Sequence, residues 1–289
     1  MRTLAIVSRK KQFPGKARII NSLKKDLKAD IHFIEKYSDI SGIVRKNRST
    51  ESVICCGGDG TISEVINNID LETQKLGVIP SGRGNGLART LGVKNPSTAL
   101  KTIKNGKIRA IDLIACEFLQ NDKPSRRYAV STIGTGRIVL GAHMANQNES
   151  KGYLFTSIRS ALNKDEFEGT ISIGENAPQT LKFSNFIANN TKYIGNFYAF
   201  PKADIHDSLM DFTISRKNSF EQILETLIVL CRVHIHIKKR HPDTVHGQTN
   251  RLCLKLKNPA KFMIDGEIYG PVNEINFHVF PGKLKLFAC

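Results

Sequence analysis

Two periods of apolar and polar positions alternate along the first 118 residues. Thr3–Val7, Ile31–Ile34, Ser52–Cys56 and Leu76–Ile79 are short apolar runs, which predict strands covered on both faces. Between them the spacing becomes helical. Ala17, Ile20, Leu23 or Lys24, and Leu27 predict one helix, and Ile62, Val65, Ile66 and Ile69 another. Leu87–Leu91 reads as a short helix. Asn95-Pro96 places a cap and a first-turn proline ahead of Ser97–Lys104, and Gly106 ends that helix. Arg109–Phe118 is a fifth strand. Strands alternating with helices predict a mostly parallel, Rossmann-like sheet with helices on both faces.

The rhythm changes after about residue 120. Leu181–Ala188, Tyr193–Phe200, Asp211–Ser215, Arg251–Lys257, Lys261–Ile264, Glu274–Phe280 and Lys283–Phe287 are short β-like runs separated by turn signals. Asp265-Gly266 marks a hairpin and Pro281-Gly282 a tight turn. Helices are expected near Lys151–Leu162 and Ser219–Val233. The expected architecture is α/β: an N-terminal parallel-sheet domain over residues 1–122, then an antiparallel β-sandwich domain over 123–289. The last strand is a candidate to return to the first domain. The boundary is set at the polar stretch Gln120–Arg127, which contains Pro124.

Composition adds a charge to this picture. The 289 residues are 40% hydrophobic and 24% charged, which excludes wholesale disorder. Lys and Arg number 43 against 26 Asp and Glu, a net charge of +17 that should attract phosphates or anionic lipid. Aromatic residues are 7% with no Trp, so a stacking platform for single-stranded nucleic acid is not expected. No apolar run reaches the roughly 18–20 residues of a membrane span, and Met1–Lys11 does not read as a signal peptide. The six cysteines lack C-x-x-C spacing, which points to a reducing cytoplasm; Cys55 and Cys56 read as strand core.

Two glycine-rich loops carry the candidate chemistry. Gly57-Gly58-Asp59-Gly60-Thr61 lies between a buried strand and an amphipathic helix. Its glycines allow a sharp turn and let backbone N–H groups approach a phosphate, and the helix start favours an anion. Thr61 and Glu64 have capping-box spacing. Asp59 has no structural duty in this pattern; beside a phosphate it would hold Mg²⁺ or handle a proton. Pro80-Ser81-Gly82-Arg83-Gly84-Asn85-Gly86 follows the next strand. The two loops should face each other at the carboxyl ends of neighbouring strands, where open α/β sheets bind ligands. Arg83 and Arg89 could supply cations, and Asn85 stands where a helix cap would. Neither a Walker loop nor G-x-G-x-x-G is present. His234, His236, His241 and His246 around Lys238–Arg240 fit no zinc spacing and read as a solvated basic face.

Taken with Glu64 and Leu87-Ala88-Arg89, these loops resemble the diacylglycerol kinase catalytic family, which includes bacterial lipid kinases and sphingosine kinases and is related to NAD kinases. Ala110–Leu113, the glycine turn Ser131–Gly136, the Tyr193–Asp211 stretch and Ile264-Asp265-Gly266-Glu267 extend the likeness. Where the family opens on Asn-Pro-x-(Ser/Gly)-Gly, this chain has Ser8-Arg9-Lys10-Lys11-Gln12; Arg83 and Gly86 are further departures.

The resemblance implies ATP-dependent phosphorylation of a lipid hydroxyl. Gly57, Gly58, Asp59, Gly60, Thr61, Ile62 and Ser63, with Gly82, Arg83, Gly84 and Asn85, would bind ATP. Asp59 would be central to the reaction. Glu267, with Asp265 either sharing the task or serving only as a turn residue, would activate the acceptor. Asp204, Asp207 and Leu209 would supply oxygens to a structural Mg²⁺. The expected partners are ATP, the lipid and an anionic membrane surface met peripherally from the cytoplasm, with no nucleic acid; a homodimer stays open. The alternatives are an NAD kinase-like enzyme and a non-enzymatic basic module that binds nucleic acid.

Overall fold

Every residue of Thr3–Ser8 (β1) is buried, which is why this apolar run forms a strand covered on both faces. The computed structural model describes residues 2–9, 13, 15–136, 138–139, 166–195, 197–216 and 244–288. The helices expected near Lys151–Leu162 and Ser219–Val233 lie outside the described residues.

Two compact units share the chain. The first comprises Met1–Leu113, Ile205–Asp207 and Phe280–Cys289; the second comprises Ile114–Asp204 and Ser208–Val279.

In the first unit the order is β1(Thr3–Ser8), α1(Lys16–Lys25), β2(Asp30–Ile34), α2(Ser38–Lys46), β3(Ser52–Gly57), α3(Asp59–Ile66), β4(Lys75–Pro80), α4(Gly86–Thr90), α5(Pro96–Asn105) and the start of β5(Ile108–Gln120). β1 lies between β2 and β3, and β4 flanks β3, all parallel. Helix α5 begins as its sequence dictates. The Asn95 side chain accepts from Thr98 N at 2.9 Å, Pro96 opens the helix, and Gly106 at φ 70° ends it. Two expectations need correction. The inward face of α1 is Ile19 and Leu23, one position off the stripe through Ile20, and Leu27 lies beyond the helix end. Helix α2 had no counterpart among the expected elements, although Ile40, Ile43 and Val44 stand at i, i+3, i+4 and Ile40 and Val44 form its buried face.

The second unit continues β5 and adds β6(Lys123–Ala129), β7(Thr132–Gly136), β8(Phe167–Ile173), β9(Gln179–Phe183), β10(Asn185–Asn189), β11(Tyr193–Ile194), β12(Phe197–Tyr198), β13(Met210–Ser215), β14(Thr244–Thr249), β15(Arg251–Ile264) and β16(Glu267–Phe287). Its pairings β14-β13-β10-β7-β15 are antiparallel, as are β15-β16, β15-β8, β8-β9 and β5-β6. Phe183, Phe186, Phe262 and Phe277, each at most 1% exposed, fill its core together with Leu252, Leu254 and Ile264. The class is thus α/β, with parallel N-terminal and antiparallel C-terminal strands, as the change of rhythm predicts.

Local differences have physical reasons. The polar stretch Gln120–Arg127 forms the tip and return strand of a hairpin, turned by Asn121 and Asp122 at φ 51° and 60°. The runs Arg251–Lys257 and Lys261–Ile264 are one strand, and the Asn258-Pro259 break is only a register shift between Lys255 and Ala260. Pro281-Gly282 does not reverse the chain: β16 runs through it, with Gly282 at φ 58° donating its N–H to Asp112 Oδ1 at 2.7 Å. The segment expected as a glycine turn, Ser131–Gly136, is largely strand β7.

Candidate active site

The first glycine loop joins β3 directly to α3. Gly58 is the N-cap, extended at φ −94°, and no side chain caps the helix. The expected capping box does not form. Thr61 is the third helical residue and is buried, while Glu64 accepts from Asn68 Nδ2 at 2.8 Å. Thr61 instead fills the space beside Gly57, where a Cβ would fall 2.4 Å from the threonine Cβ. The N-cap glycine thus brings no capping side chain to the first-turn N–H groups at the positive end of the helix, an arrangement suited to an anion. Asp59 is the first helical residue, and its Oδ1 is shielded from solvent. Ile62 and Ser63 are buried, and Ile62 N–H already donates to Gly58 O at 3.0 Å, so these two lie behind the free first-turn N–H groups rather than among them.

The second loop meets the first at the ends of adjacent parallel strands. Gly57 pairs with Pro80, and Ser81 N donates to Gly57 O at 2.9 Å. Gly58 and Gly82 touch through their backbones. A Cβ on Gly82 would lie 2.5 Å from Gly58 Cα, and one on Gly58 would lie 3.0 Å from Gly82 Cα. Only glycine at both positions permits this approach. Asn85 occupies the N-cap position of α4 in the left-handed region, but its side chain does not cap. It turns back on the loop, accepting from Gly82 N at 2.9 Å and donating to Gly82 O at 2.7 Å. Arg89 Nε braces the loop through Gly84 O at 2.9 Å, and Arg83 is exposed. Ser81 Oγ is buried with no hydrogen-bond partner among the described residues. An orphaned hydroxyl at this junction fits a polar ligand that supplies the missing partner. The fit to a nucleotide phosphate is good: two Cβ-free approaches, uncapped N–H groups and that hydroxyl lie together.

Sequence reasoning missed Lys16. Its Nζ reaches Ser8 O at 3.4 Å, at the carboxyl end of β1. Its charge is also felt at Cys56, just before the first glycine loop: burial pushes that thiol up to about 12, and Lys16 pulls it back. A lysine as first residue of a helix opposes the helix dipole, and that local conflict was the available signal.

In the second unit, Asp265 and Gly266 both have positive φ, 47° and 95°, and form a two-residue turn with Ile264 opposite Glu267. Asp265 is 6% exposed and its carboxylate is fully engaged. Oδ2 accepts from Val130 N, and Oδ1 from Ser131 N and Thr132 N, each at 2.9 Å. Its own N–H donates to Thr132 O at 2.8 Å. A buried hydroxyl network continues from there: Ser131 Oγ to Thr191 Oγ1 at 2.8 Å and Thr132 Oγ1 to Asn189 Oδ1 at 2.5 Å. Glu267 is the first residue of β16 and half-buried.

Asp204 closes one segment of the second unit, Asp207 belongs to the first, and both are exposed; Leu209 is half-buried. Among the described residues no three His, Cys, Asp or Glu side chains converge as a metal site. Two carboxylates with the Leu209 carbonyl are nonetheless all-oxygen donors, the type that Mg²⁺ takes. Of the histidine-rich basic segment only His246 is described; its Nδ1 lies 2.9 Å from Thr213 Oγ1 across the β13–β14 pair.

Comparison with known proteins agrees with this geometry. The diacylglycerol kinase catalytic domain model matches residues 9–116. A diacylglycerol kinase of Bacillus subtilis strain 168 is 25% identical over 239 residues, covering 77% of this chain and 73% of that protein. A diacylglycerol kinase of Mycobacterium tuberculosis strain H37Rv is 28% identical over 210 residues, covering 70% and 66%. Among solved structures, a diacylglycerol kinase from Bacillus anthracis shares the fold with a TM-score of 0.74 at 16% identity, over 100% of this chain and 97% of that one. An NAD kinase from Archaeoglobus fulgidus in complex with ATP has a TM-score of 0.57 at 14% identity, over 99% and 93%.

Proposed function

We propose that this chain, which residues 9–116 place in the diacylglycerol kinase catalytic family, is an ATP-dependent kinase that phosphorylates the hydroxyl of a lipid. The observation that carries the reading is the backbone contact of Gly58 with Gly82 at the carboxyl ends of β3 and β4, beside Asp59 and the orphaned Ser81 hydroxyl.

In this reading the phosphates lie over the first turn of α3 and the Gly82–Gly84 backbone. Lys16, Arg83 and Arg89 add positive charge. Asp59 holds the Mg²⁺ that accompanies the nucleotide; such an ion neutralises charge developing on the transferred phosphoryl group. Phosphoryl transfer needs positioning and charge neutralisation more than covalent chemistry, and backbone amides at a helix start supply both. Glu267 takes the proton of the acceptor hydroxyl. Asp265 has both oxygens committed to backbone N–H groups and acts as a positioning residue that fixes the turn preceding Glu267. Asp204, Asp207 and the Leu209 carbonyl are proposed to hold a structural Mg²⁺. Among the described residues no helix is long and apolar enough to cross a membrane. A net charge of +17 supports docking on anionic lipid at about 1 kcal/mol per Lys or Arg near the surface.

The test is ATP consumption by the purified protein with detergent-dispersed diacylglycerols, monoacylglycerols, sphingoid bases or undecaprenol-type alcohols, and with NAD. Stimulation by one lipid class supports the proposal and names the acceptor. Stimulation by NAD alone, or by nothing, would overturn it.

A further inference from the structure

The first turn of α3 carries one feature that phosphate cradling does not explain. Gly60 is the second residue of the helix and does not adopt positive φ, so its backbone accepts any residue. What a side chain there would meet is Tyr37. A Cβ on Gly60 would lie 2.8 Å from the phenol Oη, 3.2 Å from Cζ and 3.4 Å from Cε2. The phenol edge thus rests against the Gly60 Cα, with its hydroxyl at the first turn of the helix that begins with Asp59.

Tyr37 is held there by its own helix start. It is the N-cap of α2, and its carbonyl accepts from Ile40 N at 3.0 Å. The Asp39 carboxylate accepts from Lys36 N at 3.2 Å, tying down the preceding residue. Helix α2 packs on α3. Yet Tyr37 is 43% exposed, and among the described residues of this unit only Phe33 is a comparably exposed large hydrophobic side chain. A ring fixed at its base, set against a glycine and open to solvent leaves the face beside the phosphate turn accessible.

We infer that Tyr37 is a phosphate-positioning residue, its hydroxyl donating to a phosphate oxygen of the nucleotide cradled by Gly57–Thr61. Phosphate only accepts hydrogen bonds at this position, and a phenol is a neutral donor that needs no counter-charge. Gly60 and Tyr37 form a matched pair: the missing side chain at 60 makes room for the donor. The inference rests on the proposed nucleotide site and deepens it.

The experiment is equilibrium binding of ATP and of inorganic tripolyphosphate to the full chain and to Tyr37→Phe, with thermal unfolding and steady-state kinetics alongside. Tyr37→Phe is expected to bind both ligands about tenfold more weakly, the effect of one hydrogen bond to a charged group. KM for ATP should rise with little change in kcat, and thermal unfolding reads any effect on the fold separately. Gly60→Ala, which displaces the phenol, should weaken both ligands as well. Equal affinities for wild type and Tyr37→Phe would overturn the inference while leaving the kinase reading intact. So would a loss confined to ATP with tripolyphosphate unaffected, which would turn the ring toward the base. A wild-type protein that binds neither ligand would overturn the kinase reading itself, and this inference with it.

Discussion

Replacing Asp265 with Asn removes one charge and almost no volume, at a site where the fold depends on that charge. Three backbone N–H groups, from Val130, Ser131 and Thr132, converge on the carboxylate at 2.9 Å, and all three residues are buried. Asparagine keeps one oxygen, enough for Ser131 and Thr132 N–H, but turns an amide NH₂ toward Val130 N–H. A buried donor left unsatisfied costs about 1–3 kcal/mol, and the two surviving bonds lose their charge assistance. The backbone adds little to the cost, since Asp265 sits at φ 47° and asparagine tolerates that region. The expected destabilisation is therefore about 3–5 kcal/mol. Urea unfolding followed by circular dichroism reads it. An Asp265→Asn protein within about 0.5 kcal/mol of wild type, the range of an ordinary surface substitution, would refute the clamp.

Glu267→Gln should lower turnover by about 10²–10⁴-fold, as expected for loss of a general base, with ATP affinity essentially unchanged because the proposed nucleotide contacts all belong to the first unit; a normal turnover would move the base elsewhere. Gly82→Ala puts a Cβ 2.5 Å from Gly58 Cα, so calorimetry should find nucleotide binding lost and urea unfolding a cost of about 1–3 kcal/mol, and an unaltered ATP affinity would deny that the loops must touch. Burial raises the thiols of Cys55, Cys56 and Cys116 above their ordinary value of 9.0, Cys56 to about 12. The folded state therefore keeps protons that the unfolded chain releases, and stability that is full below pH 9 should fall as pH rises from 9 toward 12. Urea midpoints that stay level across that window, or rapid alkylation of these thiols in the native protein, would contradict their burial.

The parallel half of the fold was legible because strands covered on both faces are written as apolar runs, as in Thr3–Val7 and Ser52–Cys56. The meeting of the two glycine loops was legible for a related reason: consecutive βα units place their loops on one edge of the sheet. What stayed hidden depended on partners far along the chain. Asp265 reads locally as a turn residue, and its three N–H donors lie 133 to 135 residues away. Gly282 reads as a turn, yet its N–H is satisfied by Asp112, 170 residues away, so β16 runs on. Lys16 showed only as a charge on the wrong end of a helix, and Tyr37 gave no signal, because its importance lies in the space that Gly60 leaves open.

The central claim is that the Gly57–Thr61 turn and Asp59 transfer phosphate from ATP to a lipid hydroxyl. It is tested most directly by following the label from [γ-³²P]ATP into lipid, with wild-type protein and Asp59→Asn in parallel. Wild type should yield a labelled lipid phosphate and Asp59→Asn at least about 10²-fold less, the scale of losing one preorganised charge at the reacting group, with the variant folded as wild type. Label that never enters lipid, or enters equally with both proteins, would contradict it.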